Sequence, residues 1–509
     1  RKMTRETNCL ATAIRQAIET NPERAVMREG DTVISGARCL AMAAARQRQL
    51  ADAGVRSSDC VLVCNGRGVR YWIDLIAVWA AGAIAVPFDT RMDANRAGAI
   101  IANTSPVAVI LGDSDDTFST GLPAIVGEPE GEANGTLEIA DKRSNETAAI
   151  LFTSGSTGAP KGVTETHAAL LGNAWSTLDV LELTPADRLV MATPFVFISA
   201  FSHFLVCILA GCEFIATEQK LFKGDLAARI RDSRANWFGG SPLQVRWIGE
   251  VAQNFDFPDL RFLMSSGDHL GVDVITLIRR TLPQVALFTV YGMTELAGRF
   301  CVLAPADLDR ASGAVGRPIK GLTVEILDEV TGSPLAQGEL GEVTVRGRFV
   351  FPGYHNDPKT TGDSLRNGRF HTGDLGHIGE DGFLRLQGRK DDVFKYGGQK
   401  VSALPIAEAL MRTGSFEDVA VAGVPDKTHG GVPFVFYTSK NRQPVDTRAV
   451  MLDIRTQLPK SHMPVGFRQV DEIPRTGSGK VFRSWLREKV QEILQERSGE
   501  ETVTKGSAS

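Results

Sequence analysis

Residues 148–163 read AAILFTSGSTGAPKGV, an apolar run that delivers a loop of hydroxyls and glycines. The run 148–152 has the composition of a short buried strand. Thr153, Ser154, Gly155, Ser156, Thr157 and Gly158 follow, and Pro160, Lys161 and Gly162 close the loop. Glycines let a backbone take positive φ and approach an anion, so successive N–H groups can face phosphate oxygens. Hydroxyls add donors, and Lys161 adds a positive charge on a flexible stem. The chemistry this mixture suits is holding a polyphosphate. It is not a Walker A loop, because Ala159 and Pro160 separate Gly158 from the lysine and Gly162 stands where the metal-binding hydroxyl belongs. A later GSGK, 477–480, runs into Val481 and fails the same test.

Three further places carry chemistry. Tyr291-Gly292-Met293-Thr294-Glu295 ends an apolar strand, where α/β sheets present ligand-binding groups. The tyrosine ring can cover a purine, Thr294 can hydrogen-bond a phosphate or carboxylate, and Glu295 can hold Mg²⁺ through hard oxygen donors. Asp374, in HTGD, can accept two vicinal hydroxyls of a ribose, and Arg389, fifteen residues on, can reach the same sugar. Lys480, in PRTGSGKVFR, is an ammonium on a glycine-rich turn, able to bridge a carboxylate and a phosphate as charge moves between them.

These residues need a scaffold, and the chain is long enough to supply one. At 509 residues it exceeds a single core and implies two or more domains. Apolar residues at 43% and charged ones at 23% are ordinary for a globular protein, and a net charge of −4 gives no footprint for nucleic acid. Seven scattered cysteines, several in apolar stretches, form no disulfide framework and read as buried small hydrophobes in a reducing compartment. No apolar run is long enough to span a membrane, Met3 reads as the initiator, and the expected location is cytoplasmic. Up to about residue 290, strand and helix patterns alternate, which predicts parallel sheets with helices on both faces. From Ala314 short strands and turns predict a β-rich subdomain ending near Arg389, and a region with its own helix–strand alternation comes after it.

In this order and spacing the motifs resemble the adenylate-forming superfamily: acyl- and aryl-CoA synthetases, adenylation domains and firefly-type luciferases. The resemblance implies an α/β fold with a large N-terminal domain over 1–389, built from parallel-sheet subdomains and the β-rich one. A hinge would lie at 390–391, with Asp391 the hinge residue, and a smaller mobile α+β domain over 392–499 would carry the catalytic Lys480. Residues 500–509 read as a disordered tail. It further implies that Thr294 and Glu295 act in catalysis and that residues 153–158, Lys161, Tyr291, Gly292, Asp374 and Arg389 bind ATP. Glu295 would hold Mg²⁺, and Lys395, Gly397 and Gly398 would line a thiol entrance after the small domain rotates. An acidic residue usual a few positions later is Pro405 here, although Glu408 follows.

The same resemblance places an acyl pocket at Phe195, Phe197, Phe201, His203, Trp237, Ser266, Gly267 and Asp268, with Phe238, His269 and Gly292 beside them. Phe197 stands where many acyl-CoA synthetases have a histidine. PFVFISAFSHF lacks the aspartate that pairs an α-amino group, which argues against a simple α-amino acid. Arg299 reads as a surface arginine, with a second substrate carboxylate as the alternative. The implied reaction is ATP-dependent activation of a small-molecule carboxylic acid to acyl-AMP, then thioester formation. Coenzyme A is the expected acceptor, the phosphopantetheine of a separate carrier protein the alternative. A non-enzymatic adenylate sensor would need a broken catalytic position, and Lys480, Glu295 and Asp374 are intact.

Overall fold

The helix Val69–Ala80 (VRYWIDLIAVWA) is apolar around almost its whole circumference, and every residue in it except Arg70 is buried. Such a helix must be covered on all sides. It is packed between two sheets, touching Cys60–Cys64 and Ile84–Phe88 of one and Ala25–Glu29 of the other. Trp72 is the centre of this core, stacked on Phe204 at 4.4 Å between ring centroids and edge-on to Phe195, Phe201 and Phe214. Aromatic pairs of this kind add about 0.5–1.5 kcal/mol each beyond the area they bury.

The structure, a computed structural model, describes the chain apart from residues 1–8, 65–67, 113–120, 130–135, 142–143, 155–159, 218–221, 312, 398, 427, 440–442, 476–480 and 507–509, and apart from the side chains of 154, 391 and 497–506. Among the described residues there are four sheets. The largest runs in the order Arg317–Pro318, Gly298–Leu303, Ala286–Met293, Phe262–Ser266, Trp237–Gly240, Arg188–Met191, Glu213–Ile215, Ala25–Glu29, Thr32–Ser35. Its interior pairs are parallel and only its edges are antiparallel. The second sheet ends in Thr147–Ser154 and Pro160–Thr166, an antiparallel hairpin on an otherwise parallel sheet. Both agree with the strand–helix alternation of the sequence, in which crossovers through helices force neighbouring strands to run parallel.

A third, antiparallel sheet takes the region after residue 320, built on Leu322–Leu327, Gly341–Gly347, Arg369–Ile378 and Leu384–Arg389. A single 3₁₀ turn, Lys390–Asp392, leads from its last strand to Val393–Tyr396, the first strand of the fourth sheet. That sheet joins Val393–Tyr396, Gln399–Ser402, Gly430–Thr438, Asp418–Asp426 and Gly466–Gln469 and has its own core around Val435, Ile406 and Ile454. The final helix, Arg483–Gly506, continues past residue 500, where the polar sequence predicts a disordered tail. All seven cysteines are buried, and none is in a disulfide.

Candidate nucleotide and acyl site

Strands Thr147–Ser154 and Pro160–Thr166 pair antiparallel with Thr153 opposite Lys161, the two residues that flank the glycine–hydroxyl loop on its strand ends. The apolar run is buried as expected, and Thr153 and Lys161 emerge on the wall of a cleft of about 1890 Å³. Lys161 Nζ lies 5.5 Å from the centroid of the Tyr354 ring. Gly155, Ser156, Thr157, Gly158, Gly398 and Lys480 lie outside the described residues, as do the side chains of Ser154 and Asp391.

Tyr291 to Glu295 leave the strand Ala286–Met293 through a bulge between Tyr291 and Gly292. An added Cβ at Gly292 would overlap the Gly298 carbonyl oxygen on the antiparallel neighbour, so only glycine allows that close approach. The bulge bends the strand and re-aims the residues C-terminal to it. Thr294 and Glu295 form a 3₁₀ turn on the cleft wall. Asn173 Nδ2 caps this turn from the adjoining helix by donating to the Leu296 carbonyl at 2.9 Å.

Asp374 and Arg389 are cross-strand partners in the third sheet, and Arg389 Nε lies 3.0 Å from Asp374 Oδ1. The half-buried Tyr291 donates its hydroxyl to the other oxygen of Asp374. Burial, then the Asp374 charge, pushes the Tyr291 phenol well above its ordinary range, so it stays a donor. Three residues distant in sequence thus form one chain of contacts. Glu295 is gripped by a residue the sequence motifs do not reveal: Tyr354 donates to Glu295 Oε1 at 2.9 Å. Tyr354 is brought there by the pairing of Val163 with Tyr354 and by a bond from the Phe351 N–H to the Glu295 carbonyl. Glu165 is likewise unmarked in the sequence. It is fully buried on the hairpin, among the described residues neither carboxyl oxygen has a hydrogen-bond partner, and burial first and the Glu295 charge second push its pKa well above the usual carboxylate range.

The acyl-pocket expectation divides in two. Phe197, His203, Ser266, Gly267 and Asp268 line the cleft. Phe195, Phe201 and Trp237 do not; they pack in the core behind it, Phe195 stacked on Tyr71 and Phe201 against Trp72 and Trp79. An aromatic segment inside a helix, here Ile198–Ala210, presents only part of itself to a cavity. Arg299, expected at the surface, is not there. It is 3% exposed and faces the cleft from the strand Gly298–Leu303.

The small region closes the cleft from the far side. His269 Nε2 pairs with Glu408 at 2.7 Å, and Arg475 Nη1 lies 3.6 Å from Asp268 while its Nη2 pairs with Asp418. Burial alone would lower the His269 pKa, but Glu408, with Asp268 and Asp273 nearby, raises it. Arg475 and Val481, which bridge to each other and flank 476–480, line the same cleft as Lys161, Glu295 and Arg389. Lys395 and Gly397 are not on the cleft wall in this arrangement, and the hairpin that carries them is tied away from it by Lys400 to Glu329.

Known proteins share this architecture. A 2-succinylbenzoate–CoA ligase of Bacillus licheniformis is 26% identical over 479 residues, covering 93% of this chain and 98% of its own. A feruloyl-CoA synthase of an Amycolatopsis species is 27% identical over 477 residues, covering 92% and 96%. The structure of ATP-bound MatB from Rhodopseudomonas palustris superposes with a TM-score of 0.85 at 25% identity, covering 95% of this chain and 99% of that one. Residues 14–355 match the family described as AMP-binding enzyme, and residues 406–480 match its C-terminal domain. With more than half its length inside the first match, the chain belongs to the AMP-binding enzyme family.

Proposed function

We propose that this chain is an AMP-forming acid–thiol ligase of the acyl-CoA synthetase kind. It activates a small carboxylic acid with ATP, releases pyrophosphate, and passes the acyl group from acyl-AMP to coenzyme A. The observation that carries this reading is the single cleft onto which Thr153 and Lys161, Thr294 and Glu295, Arg389, and the residues flanking 476–480 all face. The coenzyme A ligases among its relatives, matched over nearly their full length, support it further.

In this reading residues 153–158 and Lys161 hold the β- and γ-phosphates, while Asp374 and Arg389 hold the ribose. Asp374, paired with Arg389, accepts the sugar hydroxyls through its carboxylate oxygens. Tyr291 fixes that carboxylate and presents its ring to the adenine. Thr294 orients the attacking carboxylate at the α-phosphate. Lys480 brings its ammonium to the charge that develops there, worth most in a cleft that excludes water. Glu295 and Thr294 offer hard oxygen donors, and among the described residues no group of three or more His, Cys, Asp or Glu side chains could hold a cation unaided. That set fits Mg²⁺ shared with phosphate oxygens. Glu295 would hold the ion, which offsets phosphate charge when bound, and the hydrogen bond from Tyr354 fixes that carboxylate.

Domains divide at 1–389, 390–391 and 392–499, with Asp391 the pivot. Support comes from the 3₁₀ turn Lys390–Asp392, which is all that separates two self-contained sheets. Lys390 itself pairs with Glu342 at 2.9 Å. Thioester formation requires the small domain to rotate so that Lys395, Gly397 and Gly398 replace the Lys480 segment at the cleft. The test is to incubate the chain with ATP, Mg²⁺ and a panel of acids, measure pyrophosphate exchange, then compare coenzyme A with holo carrier protein. Acid-dependent exchange followed by AMP release with coenzyme A is expected. Release with carrier protein alone would reassign the acceptor, and exchange with no acid would refute the activation step.

A further inference from the structure

The acyl side of the cleft holds a positive charge without a counter-charge. Arg299 is buried, its Nη1 donates to the Ser202 hydroxyl, and its Nη2 meets the Met264 sulfur at 3.5 Å. Among the described residues no carboxylate lies within ion-pair distance of it. Two acids that line the same cleft are engaged elsewhere, Asp268 with Arg475 and Asp273 with Arg246. His203, beside Arg299, contributes no charge of either sign: burial first and the guanidinium second press its pKa down to about 3. Burial also lowers the Arg299 pKa, to about 9, which leaves it a cation at neutral pH.

A buried, unpaired guanidinium is costly, and a fold that only needed to fill this space would do better with an apolar side chain. The cost is recovered when an anion arrives with the geometry to take two parallel N–H donors. Arg299 is opposite Gly292 across the strand pair, two positions from Thr294, so its guanidinium and the activated carboxylate belong to one compact ligand. Phe197, His203 and Gly298 line the same cleft as Arg299.

We propose that the acid activated by this chain carries a second anionic group, most simply a second carboxylate, which Arg299 receives on the acyl side of the cleft. The inference rests on the ligase reading and narrows its substrate class: compact dicarboxylic acids, aliphatic or aryl, rather than fatty or simple aromatic monoacids. Arg299 is here a substrate-binding residue, and Ser202 positions it.

The test uses the full chain and matched pairs of acids: succinate against butyrate, glutarate against valerate, phthalate against benzoate. In pyrophosphate exchange the unmodified chain is expected to prefer the diacid of at least one pair by about 100-fold or more in kcat/KM, the scale of a buried charge-assisted pair. Arg299→Met should collapse that ratio to near unity, and Arg299→Lys should restore part of it. A monoacid exchanged as fast as its diacid partner in every pair would overturn the proposal while leaving the ligase reading intact. So would a folded Arg299→Met variant that keeps the preference. Exchange with none of the acids would count against the ligase reading itself. In that event calorimetric binding of the same diacids to the unmodified chain and to Arg299→Met decides the anion site. Binding lost in the variant supports it, and binding absent from the unmodified chain, or equal in both, overturns it.

Discussion

At the scale of single residues, much of the site turns on which polar groups are held by others. Glu295 is an example: its carboxylate is fixed by the Tyr354 hydroxyl, which comes from a segment with no chemical signal of its own. Tyr354→Phe is expected to lower kcat for pyrophosphate exchange about 10-fold while the fold is retained, since it removes a hydrogen bond to a charged group worth about 1.5–3 kcal/mol. Steady-state kinetics at saturating Mg²⁺ against limiting Mg²⁺ checks it, and the loss should be larger when the metal is scarce. Asp374 should behave differently. Asp374→Asn leaves the Tyr291 and Arg389 partners without their charged acceptor, so the rise should fall mainly on KM for ATP, about 10-fold or more.

At the scale of elements, a bulge and a glycine do what the motif alone does not explain. Gly292 is required because its strand passes within overlap distance of the Gly298 carbonyl, and the bulge beside it turns Thr294 and Glu295 toward the cleft. Gly292→Ala must push the two strands apart and is expected to destabilise the chain by about 1–3 kcal/mol, read as a lowered midpoint in thermal or urea unfolding. This scale also explains what was legible beforehand. Thr153, Lys161, Tyr291, Asp374 and Arg389 could be named because each sits in a short run whose residue types already imply a phosphate, a purine or a sugar. The alternation of strand and helix similarly gave away the parallel sheets. Arg299 could not be placed, because its burial depends on Ile198–Ala210 and Phe262–Ser266 packing over its strand, contacts made across sequence distances of 97 and 35 residues. The resemblance places Phe195, Phe201 and Trp237 in the pocket because a motif position does not tell a side chain facing the core from one facing a cavity. Glu165 carried no signal at all in PKGVTETH.

At the scale of the whole molecule, the small domain is latched over the cleft by His269 to Glu408 and Arg475 to Asp268. Burial opposes the charged forms of both partners in the first pair, yet the Glu408 carboxyl is held below its usual range by His269, and His269 is raised above 6.5 by Glu408. The two charges lapse at opposite ends of the pH scale. His269 contributes its charge below its raised pKa and loses it as pH climbs through that value, whereas Glu408 loses its charge only when pH falls through its lowered one. Closure is therefore favoured between the two, and raising the pH above the imidazole range should open the domains. A distance measurement between labels on the two domains should show this pH step, and Glu408→Gln should abolish it. Among the described residues no helix is long and apolar enough to cross a membrane.

On the proposed reading, acid activation requires an ammonium from the small domain to complete a nucleotide site built in the large one. Acid-dependent exchange of labelled pyrophosphate into ATP by Lys480→Ala, beside the unmodified chain, tests that most directly. A fall of about 100- to 1,000-fold is predicted, the usual consequence of removing a charge preorganised for the transition state. Exchange by Lys480→Ala at the parental rate would contradict it.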